Sequence, residues 1–371
     1  MGGGAALIRK TYADLLRSLA TVVIVTPAYN SNEIVLQNEK IAFPYNTRNG
    51  LVDTFLQYAR IKEDYLDKWV KQSFVYLRDV VSKEDIIFSV VGGDLASVKL
   101  GALLKREVGC RLVVNFRDPV DGIKIFEEKI PFYYGLCRDK LADKYIGAAD
   151  LLITSSETYR QVLMGRYPEK WDRVYNHYIG YLRQVDIKPK KYVNKPFNIV
   201  SCGTITKIQN ADILYKAFRG NENFKITYIG REAAKMKNEM PEDNIVCMEL
   251  MPHGQFLKYM MSHADAGFVG LKGKYLGVCV PSRVYEFLNL GLPILAALPD
   301  GSAKDIINKN EYGIACSDDD TDALVGAATR LTDEEIYRHY MHSIQKDRDQ
   351  WYFCNRKEEF LDIIRNFIKI R

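Results

Sequence analysis

The stretch VPSRVYEFLNLGLPILA, residues 280–296, contains the start of a helix, its end and the strand that follows. Pro281 followed by Ser282 predicts the start of the helix, with Ser282 as its N-cap. Gly291 followed by Pro293 predicts the end, because neither residue favours continuing a helix. The apolar run after Gly291 predicts a buried strand. A helix that leads directly into a buried strand is typical of a parallel α/β sheet.

Glu286 lies one turn inside this predicted helix. The start of a helix presents unpaired backbone N–H groups and the positive end of the helix dipole, and both favour a phosphate. A carboxylate one turn later can accept hydrogen bonds from the ribose hydroxyls of the same nucleotide. The pattern therefore predicts a nucleotide diphosphate site; the alternative is an ordinary capped helix with a surface glutamate.

Apolar runs alternate with helical segments along the whole chain. In the second half, these runs predict buried strands at 197–203, 224–230, 244–250, 266–271, 293–298 and 313–317. In the first half, strands are predicted at 21–27, 85–91, 111–116 and 151–156, and helices at 51–81, 94–108, 135–149 and 157–167. This alternation predicts two doubly wound α/β domains, whose ligands lie at the carboxyl ends of the strands.

The length of 371 residues also predicts two domains, because single cores rarely grow beyond about 300 residues. The polar stretch QVDIKPKKYVNK has no apolar period and predicts a linker at 185–195. The predicted domains are an N-terminal Rossmann-like domain at 1–184 and a C-terminal one at 196–354. Residues 355–371 are predicted to form a helix that returns to the N-terminal domain.

The composition excludes several classes of protein. With 47% hydrophobic and 27% charged residues, the chain is predicted to be folded rather than disordered. The seven cysteines show no CxxC spacing, which predicts free thiols in a reducing cytoplasm. The five histidines show no metal-ligand spacing, and the acidic run 318–320 precedes a predicted helix, so no metal site is expected. No run reaches the roughly 18 apolar residues of a membrane span.

The net charge of +5 arises in residues 1–190. Solvated helix faces with extra lysines explain this excess, and attraction of the N-terminal domain to anionic lipid is the alternative. Basic residues do not alternate with aromatic ones as they would on an RNA-binding sheet. Nucleic acid is therefore not an expected partner.

Five stretches of this sequence, in the same order, resemble one family of enzymes. They are NFRDPVDG (115–122), AADLLITSSETYRQVL (148–163), GTITKIQNADILYKAF (203–218), MPHGQFLKYMMSHADAGFVGL (251–271) and the run 278–317 with PSRVYEFLNLGLPILAA and IINKNEYGIA. Together they resemble the retaining GT-B glycosyltransferases of glycosyltransferase family 4, also called glycosyl transferases group 1. Within that family the chain looks like bacterial enzymes that build lipopolysaccharide, capsule and exopolysaccharide.

The resemblance implies a fold and an activity. The fold is GT-B, with two facing Rossmann-like domains. The activity is transfer of a sugar from a UDP- or GDP-linked donor to a glycan or lipid-linked acceptor, with retained configuration and without metal or other cofactor. It further implies a role in surface polysaccharide biosynthesis, in the cytoplasm and at the inner face of the cytoplasmic membrane.

The resemblance also implies roles for individual residues. Donor contacts fall on Gly203, Thr204, Lys207, Met251, Pro252, Ser282, Arg283 and Glu286. Among these, Glu286 would hold the ribose, Ser282 and Arg283 the diphosphate, and the backbone near Met251 the base. Arg117 and Asp118 would contact the acceptor or the donor sugar and, with Lys207, form the catalytic set; a purely structural Arg–Asp pair is the alternative.

The chain departs from the family pattern at three places. Val278 stands where the family has a carboxylate that contacts the donor sugar, and Thr204 stands where it has an arginine, which leaves Lys207 or Arg283 to supply the charge. Gly2, Gly3 and Gly4 resemble the phosphate and acceptor loop that normally follows the first strand. We therefore expect the first strand of the N-terminal domain to be missing, through natural truncation, an expression artefact or a misassigned start codon. Neighbouring strands would then expose unpaired edges.

Two functions of other kinds stay open at this point. The first is a non-catalytic GT-B-like subunit that binds a partner transferase or a glycan, and both Val278 and the expected absence of the first strand favour it. The second is a nucleotide-sugar epimerase, which needs carboxylates placed for proton transfer at the sugar.

Overall fold

The fold was obtained as a computed structural model, which describes residues 4–29, 33–45, 52, 55–57, 59, 61–64, 66–92, 94–119, 132–186, 193–205 and 208–369. The chain forms two compact units. The first contains Met1–Tyr178 together with Lys357–Arg371, and the second contains Ile179–Arg356.

Among the described residues, the first element of the first unit is a helix, and two sheets follow. Its elements are α1 (Gly4–Leu16), β1 (Ile24–Tyr29), β2 (Val35–Gln37), β3 (Lys40–Tyr45), α2 (Asp67–Leu77), β4 (Ile86–Gly92), α3 (Ala96–Val108), β5 (Arg111–Asp118), α4 (Phe132–Ile146), β6 (Leu151–Thr154), α5 (Glu157–Arg166), a 3-10 helix (Pro168–Arg173) and β7 (Val174–Asn176). One sheet has the order β1-β3-β2 and the other has the order β4-β5-β6-β7. β2 is antiparallel to β3, and all other pairs in this unit are parallel.

The second unit contains one six-stranded sheet. Its elements are β8 (Phe197–Cys202), α6 (Ala211–Phe218), β9 (Phe224–Ile229), α7 (Ala233–Glu239), β10 (Ile245–Met248), α8 (His253–His263), β11 (Ala266–Gly270), a 3-10 helix (Lys274–Val278), α9 (Ser282–Leu290), β12 (Ile294–Ala297), α10 (Ser302–Lys309), β13 (Gly313–Cys316), α11 (Thr321–Leu331), α12 (Glu334–Asp347), a 3-10 helix (Arg348–Trp351) and α13 (Phe353–Lys369), which continues into the first unit. The order is β10-β9-β8-β11-β12-β13, and every pair is parallel.

The core of the second unit explains why its strands were predictable from sequence. Every residue of β8 and β11 is buried, so that both faces of each strand are covered. Phe197, Phe218, Phe224 and Tyr228 pack into one cluster between the sheet and its helices. All six strands predicted in this half are confirmed, because a strand covered by helices on both faces appears in sequence as a continuous apolar run.

Helix α1 packs on the four-stranded sheet of the first unit. Ile8 and Tyr12, one turn apart, are its buried residues. The Tyr12 ring lies 4.8 Å from that of Phe360 on α13 and 6.4 Å from that of Phe88 on β4. The predicted return of the C-terminal helix is therefore confirmed, since Lys357–Arg371 belongs to the first unit.

The division between the units falls at Tyr178, several residues before the linker predicted at 185–195. The reason is Tyr181, whose backbone N–H donates to Trp351 O at 2.9 Å and whose carbonyl accepts from Phe353 N at 2.9 Å. These bonds tie residues 179–186 to the end of the second unit. Residues 187–192 of the predicted linker lie outside the described part of the chain.

Among the strands of the described residues, β2, β3 and β7 were not predicted. Residues of β2 are exposed, and the polar residues Gln37 to Lys40 interrupt the apolar pattern between β2 and β3. β7 has three residues, too few for a periodic signal. Within the described residues, no helix is both long enough and apolar enough to cross a lipid bilayer.

Candidate functional site

The carboxyl end of β8 meets the start of α9 in the second unit. Gly203 follows β8 directly and has a φ of 97°, in the region that favours glycine. A Cβ built on Gly203 would lie 3.6 Å from Nη2 of Arg283 and 3.7 Å from its Cζ. The Arg283 guanidinium therefore packs against the Gly203 backbone. The structure thus brings together two of the residues predicted to bind a diphosphate.

The start of α9 differs from the prediction in one respect. The N-cap is Pro281, with extended backbone at ψ 138°, and Ser282 is the first helical residue. Ser282 is exposed, and no side chain caps the helix. The prediction of Ser282 as N-cap was wrong, because Pro281, with its fixed φ and extended backbone, occupies the N-cap position itself. The first backbone N–H groups of α9, including that of Ser282, consequently have no capping side chain and can face an anion.

Glu286 lies one turn further along α9 and is half-buried. Burial raises the pKa of the Glu286 carboxyl above its ordinary value, and electrostatic interactions with His253 and Arg283 act against this rise. His253 is the first residue of α8. Since Glu286 also interacts electrostatically with Cys202 at the end of β8, the starts of α8 and α9 and the end of β8 lie near one carboxylate. This is the arrangement expected of a nucleotide site at the carboxyl ends of parallel strands.

The loop after β8 is fixed from β9 and α7. The Tyr228 hydroxyl donates to Glu232 Oε2 at 2.5 Å and lies 2.7 Å from the Gly203 carbonyl oxygen. Glu232 Oε2 also accepts from Ile205 N at 3.3 Å. A Cβ on Gly230 would lie 2.3 Å from the Gly203 carbonyl oxygen, so this position has room only for glycine. These contacts hold the backbone that faces Arg283.

Tyr228 and Cys202 contribute neutral groups near this loop. Burial raises the pKa of the Tyr228 phenol well above its ordinary value, and its hydrogen bond to Glu232 adds to the rise. Burial raises the pKa of the Cys202 thiol to about 12, and the neighbouring Glu286 carboxylate acts in the same direction. Both groups therefore keep their protons at neutral pH.

Sequence reasoning missed His253, Tyr228 and Glu232. His253 directly follows Pro252, which is the N-cap of α8, and Pro252 O accepts from Gln255 N and Phe256 N at 2.9 and 3.0 Å. That helix start was a signal that could have identified His253. Tyr228 and Glu232 carried no local signal, because their approach to Gly203 depends on the pairing of β8 with β9.

The remaining predicted donor residues have different positions. Met251 is half-buried and Pro252 exposed in the turn before α8, and Thr204 is exposed beside Gly203. Val278, predicted to stand in place of a carboxylate that contacts the donor sugar, is buried with 7% of its surface exposed. Lys207 lies outside the described residues, as do Gly2 and Gly3; Gly4 is the first residue of α1.

Arg117 and Asp118 are the last two residues of β5, which runs two residues further than predicted. Asp118 as a whole residue is exposed, but the protein around its carboxyl group removes water from it and so raises the pKa of that carboxyl. The charges of Arg117 and of Arg9 oppose this rise. Burial lowers the pKa of the Arg117 guanidinium, against the effect of Asp118. In the first unit, the carboxyl end of β5 therefore carries one acid and one cation, and Arg9 of α1 interacts electrostatically with that acid.

The acidic run after β13 begins a helix, as predicted. The Asp320 side chain caps α11 by accepting from Ala323 N at 2.8 Å. Asp318 accepts from Gly273 N at 2.7 Å. In the ranges that the structure describes, no group of three or more His, Cys, Asp or Glu side chains could hold a metal ion.

Comparison with known proteins shows similarity at the level of fold. No protein-family model and no curated protein sequence matches the chain. The lipopolysaccharide outer core galactosyltransferase WaaB, solved in its apo form, is 15% identical with a TM-score of 0.60 over 88% of this chain and 84% of its own. HepE of Anabaena, solved in complex with UDP, is 13% identical with a TM-score of 0.59 over 88% and 86%.

A glycosyltransferase from Rickettsia africae ESF-5 is 12% identical, with a TM-score of 0.60 over 90% of this chain and 86% of its own. At such identities the similarity concerns the backbone, and fold alone does not fix an activity. The predicted fold class is confirmed: this chain has the α/β GT-B fold, with parallel sheets in Rossmann-like units.

Proposed function

We propose that this protein is a glycosyltransferase that transfers a sugar from a nucleotide-sugar donor to an acceptor. The observation that carries the proposal is the placement of the Arg283 guanidinium against Gly203, beside the uncapped start of α9 and one turn from Glu286. This arrangement combines a cation, free backbone N–H groups and a carboxylate. These are the groups that a diphosphate and its attached ribose require.

In this proposal the second unit binds the donor. Arg283 and the N–H groups of α9 bind the diphosphate. Their stabilisation of its negative charge increases as the bond between the diphosphate and the sugar breaks. Glu286 accepts hydrogen bonds from the ribose, and the turn at Met251 and Pro252 frames the base. Lys207 supplies a second cation. The fold similarity to HepE, which was solved with UDP, supports a UDP- or GDP-linked donor.

Arg117 and Asp118 of the first unit are proposed to contact the acceptor or the transferred sugar. Membership of glycosyltransferase family 4, retention of anomeric configuration and independence of metal belong to the same proposal and are supported by the five sequence stretches. The fold similarity to WaaB supports an acceptor in surface polysaccharide or lipopolysaccharide synthesis. Such an acceptor is lipid-linked or a glycan, and fits a cytoplasmic protein that contacts the membrane surface.

The test is turnover with a panel of UDP- and GDP-sugars and lipid-linked or glycan acceptors, measured as release of nucleoside diphosphate. We expect release that depends on the acceptor, that persists in EDTA and that gives a product with the anomeric configuration of the donor. If no donor gives release of nucleoside diphosphate although nucleotides bind, the proposed enzymatic activity is contradicted. Release that stops in EDTA would contradict metal independence.

Val278 favours a second candidate, a non-catalytic GT-B-like subunit that binds a partner transferase or a glycan. Its buried apolar side chain occupies the position of the carboxylate that contacts the donor sugar in the family. Nucleotide binding without turnover in the panel would support this subunit. Conversion of a UDP-sugar without any acceptor would instead support an epimerase.

A further inference from the structure

Helix α1 places a further arginine at the carboxyl ends of β4 and β5. A Cβ built on Gly92, the last residue of β4, would lie 3.1 Å from Nη2 of Arg9. The Arg9 guanidinium therefore occupies the space that a side chain at position 92 would take. Gly92 pairs in register with Asp118 of β5. The guanidinium of Arg9 thus lies beside the strand position opposite Asp118.

The pairing of β4 with β5 is irregular at this end. The register shifts just before Gly92, so that Gly92 pairs with Asp118 and Arg117 is an extra residue in β5. Such a β-bulge changes the direction of side chains, and bulges are common next to active sites. The Ser155 hydroxyl, just after β6, donates to the Arg117 carbonyl oxygen at 2.9 Å. This hydrogen bond holds the irregular end of β5 in place.

Buried residues on both sides of Arg9 fix the position of α1. Ile8 and Tyr12 expose 8% and 1% of their surfaces. The Tyr12 hydroxyl lies 3.4 Å from Nδ1 of His177, a buried residue that follows β7. Arg9 and its neighbour Lys10 are exposed. The helix is therefore anchored to the sheet, while a ligand in solution can reach the Arg9 guanidinium.

Arg9, Arg117 and Asp118 carry two positive charges and one negative charge at this end of the sheet. Burial lowers the pKa of the Arg117 guanidinium, and the like charge of Arg9 acts in the same direction. The fold thus holds two guanidinium groups near each other although they repel. An anion beside them would be attracted to both, and phosphate oxygens match the N–H groups of guanidinium.

We propose that Arg9 and Arg117 bind a phosphate group of the acceptor, and that Asp118 accepts a hydrogen bond from a hydroxyl of the same molecule. A phosphate has enough oxygens to accept from both guanidinium groups, whereas one guanidinium already occupies both oxygens of a carboxylate. Asp118 repels a phosphate placed against it, so the phosphate lies on the side of the arginines.

This inference rests on the proposed transfer of a sugar, with the acceptor in the first unit, and it names the class of acceptor as a phosphate ester. Two kinds of molecule share this chemistry. One is a glycan that contains a phosphorylated sugar, and the other is a sugar joined to a lipid through phosphate. In both, the phosphate would be held by the same two arginines.

Binding of small phosphate esters to the full chain tests the proposal without a donor. The probes are glucose 1-phosphate and geranyl phosphate, compared with glucose, glucuronate and geraniol. Hydrogen exchange at residues 88–92 and 114–118, measured over a range of probe concentrations, gives the affinity at this end of the sheet. Exchange at residues 203–205 reports separately on the proposed donor site. Lys10→Gln is the matched control, because it removes a positive charge from the exposed residue next to Arg9.

We expect at least one of the two phosphates to slow exchange at 88–92 and 114–118, and Arg9→Gln to weaken this binding about tenfold. Lys10→Gln should leave it unchanged. Gly92→Val should also weaken it, because the new side chain displaces the Arg9 guanidinium while every charge is kept. Tighter binding of glucose 1-phosphate would indicate a phosphorylated sugar, and tighter binding of geranyl phosphate a phosphate next to lipid.

Kinetics then assign the phosphate to the acceptor. With an acceptor that supports turnover, Arg9→Gln should raise the KM for the acceptor about tenfold and leave the KM for the donor unchanged. A raised KM for the donor instead would overturn the proposal.

The binding measurements can also overturn it. The proposal fails if neither phosphate protects the strand ends, if glucose, glucuronate or geraniol protects them equally well, or if Arg9→Gln and Lys10→Gln weaken binding to the same extent. Undiminished affinity in Gly92→Val would have the same meaning. A chain that transfers sugar but binds neither phosphate refutes this inference alone. Phosphate bound through Arg9 without turnover of any donor contradicts the proposed transfer instead.

Discussion

The guanidinium of Arg283 packs against the backbone of Gly203, with Nη2 3.6 Å from the point that a Cβ of Gly203 would occupy. Gly203 directly follows β8, the first strand of the second unit, and Arg283 is the second residue of α9, the helix before β12. The contact brings together a loop whose backbone can lie close to a ligand and a cation that can neutralise the negative charge of that ligand. The donor-site proposal depends on this pair.

Replacing Gly203 with alanine should damage both stability and nucleotide binding. The φ of 97° is unfavourable for alanine and costs about 1 kcal/mol, and the new methyl group would lie against Arg283. Gly220→Ala is the control, because Gly220 also has a positive φ, of 71°, with no atom within 4 Å of its Cβ position. Urea unfolding should show a similar loss in both variants, while calorimetry with UDP and GDP should show weaker binding only in Gly203→Ala. Equal affinity in the two variants would contradict the role of the loop.

Arg283→Ala should weaken nucleoside diphosphate binding by about 10- to 100-fold, since hydrogen bonds to charged groups contribute about 1.5–3 kcal/mol. Arg338→Ala is the matched control: Arg338 is an exposed arginine of the same unit that pairs with Glu334 at 2.7 Å. Its loss should leave affinity unchanged. If both variants bind equally well, Arg283 does not contact the diphosphate.

Glu286→Gln should change how stability depends on pH. The pKa of Glu286 is raised above 4.5 by burial, so the folded protein holds this proton to higher pH than the unfolded chain does. The resulting stabilisation is complete below about pH 4.5 and is lost as pH rises through the raised pKa. The variant stays neutral, so its free energy of unfolding should increase relative to the natural protein from about pH 4.5 to pH 7.5. Parallel curves from urea titrations across this range would show that the carboxylate is not desolvated.

Tyr228→Phe should loosen the loop after β8. The variant loses the hydroxyl that lies 2.5 Å from Glu232 and 2.7 Å from the Gly203 carbonyl oxygen, at a cost of about 1 kcal/mol. Hydrogen exchange at residues 203–205 should become faster, and nucleotide affinity should fall several-fold. Tyr175→Phe, on the exposed face of β7, provides a control in the other unit. Unchanged exchange at the loop would rule out this role of Tyr228.

Asp118→Asn tests the first unit separately. If Asp118 acts on the acceptor or the transferred sugar, kcat should fall by about 10²- to 10⁴-fold while the Kd for UDP and GDP stays the same. The raised pKa of Asp118 also predicts that activity falls on acidification at a higher pH than for an ordinary aspartate. If the Asp118→Asn variant keeps its full kcat, the Arg117–Asp118 pair has a structural role and no role in catalysis.

The sequence predicted the strands that are buried on both faces. Runs such as PILAAL (293–298) are continuous in apolar residues because helices cover both sides of the sheet. β2 was not predictable from an apolar pattern, because its residues are exposed and a short polar turn joins it to β3, with which it pairs. The fold class followed from the pattern, and these short edge strands did not.

The site was predictable where it is local in sequence. Glu286 and Arg283 follow from one helix start, and Gly291 ends that helix in the left-handed conformation, with φ 67°, as predicted. The N-cap was assigned one residue too late, since Pro281 and Ser282 are both favoured at a helix start. Tyr228 joins the site through the pairing of β8 with β9, which no local pattern reveals, whereas the helix start after Pro252 was a signal for His253.

The most direct test is calorimetric titration of UDP, UMP, GDP and GMP into the natural protein and Arg283→Ala. If α9 and Arg283 bind a diphosphate, one of the diphosphates should bind at least about tenfold more tightly than its monophosphate, and this preference should disappear in Arg283→Ala. Equal affinity for diphosphate and monophosphate, or a preference that survives in Arg283→Ala, would contradict the account.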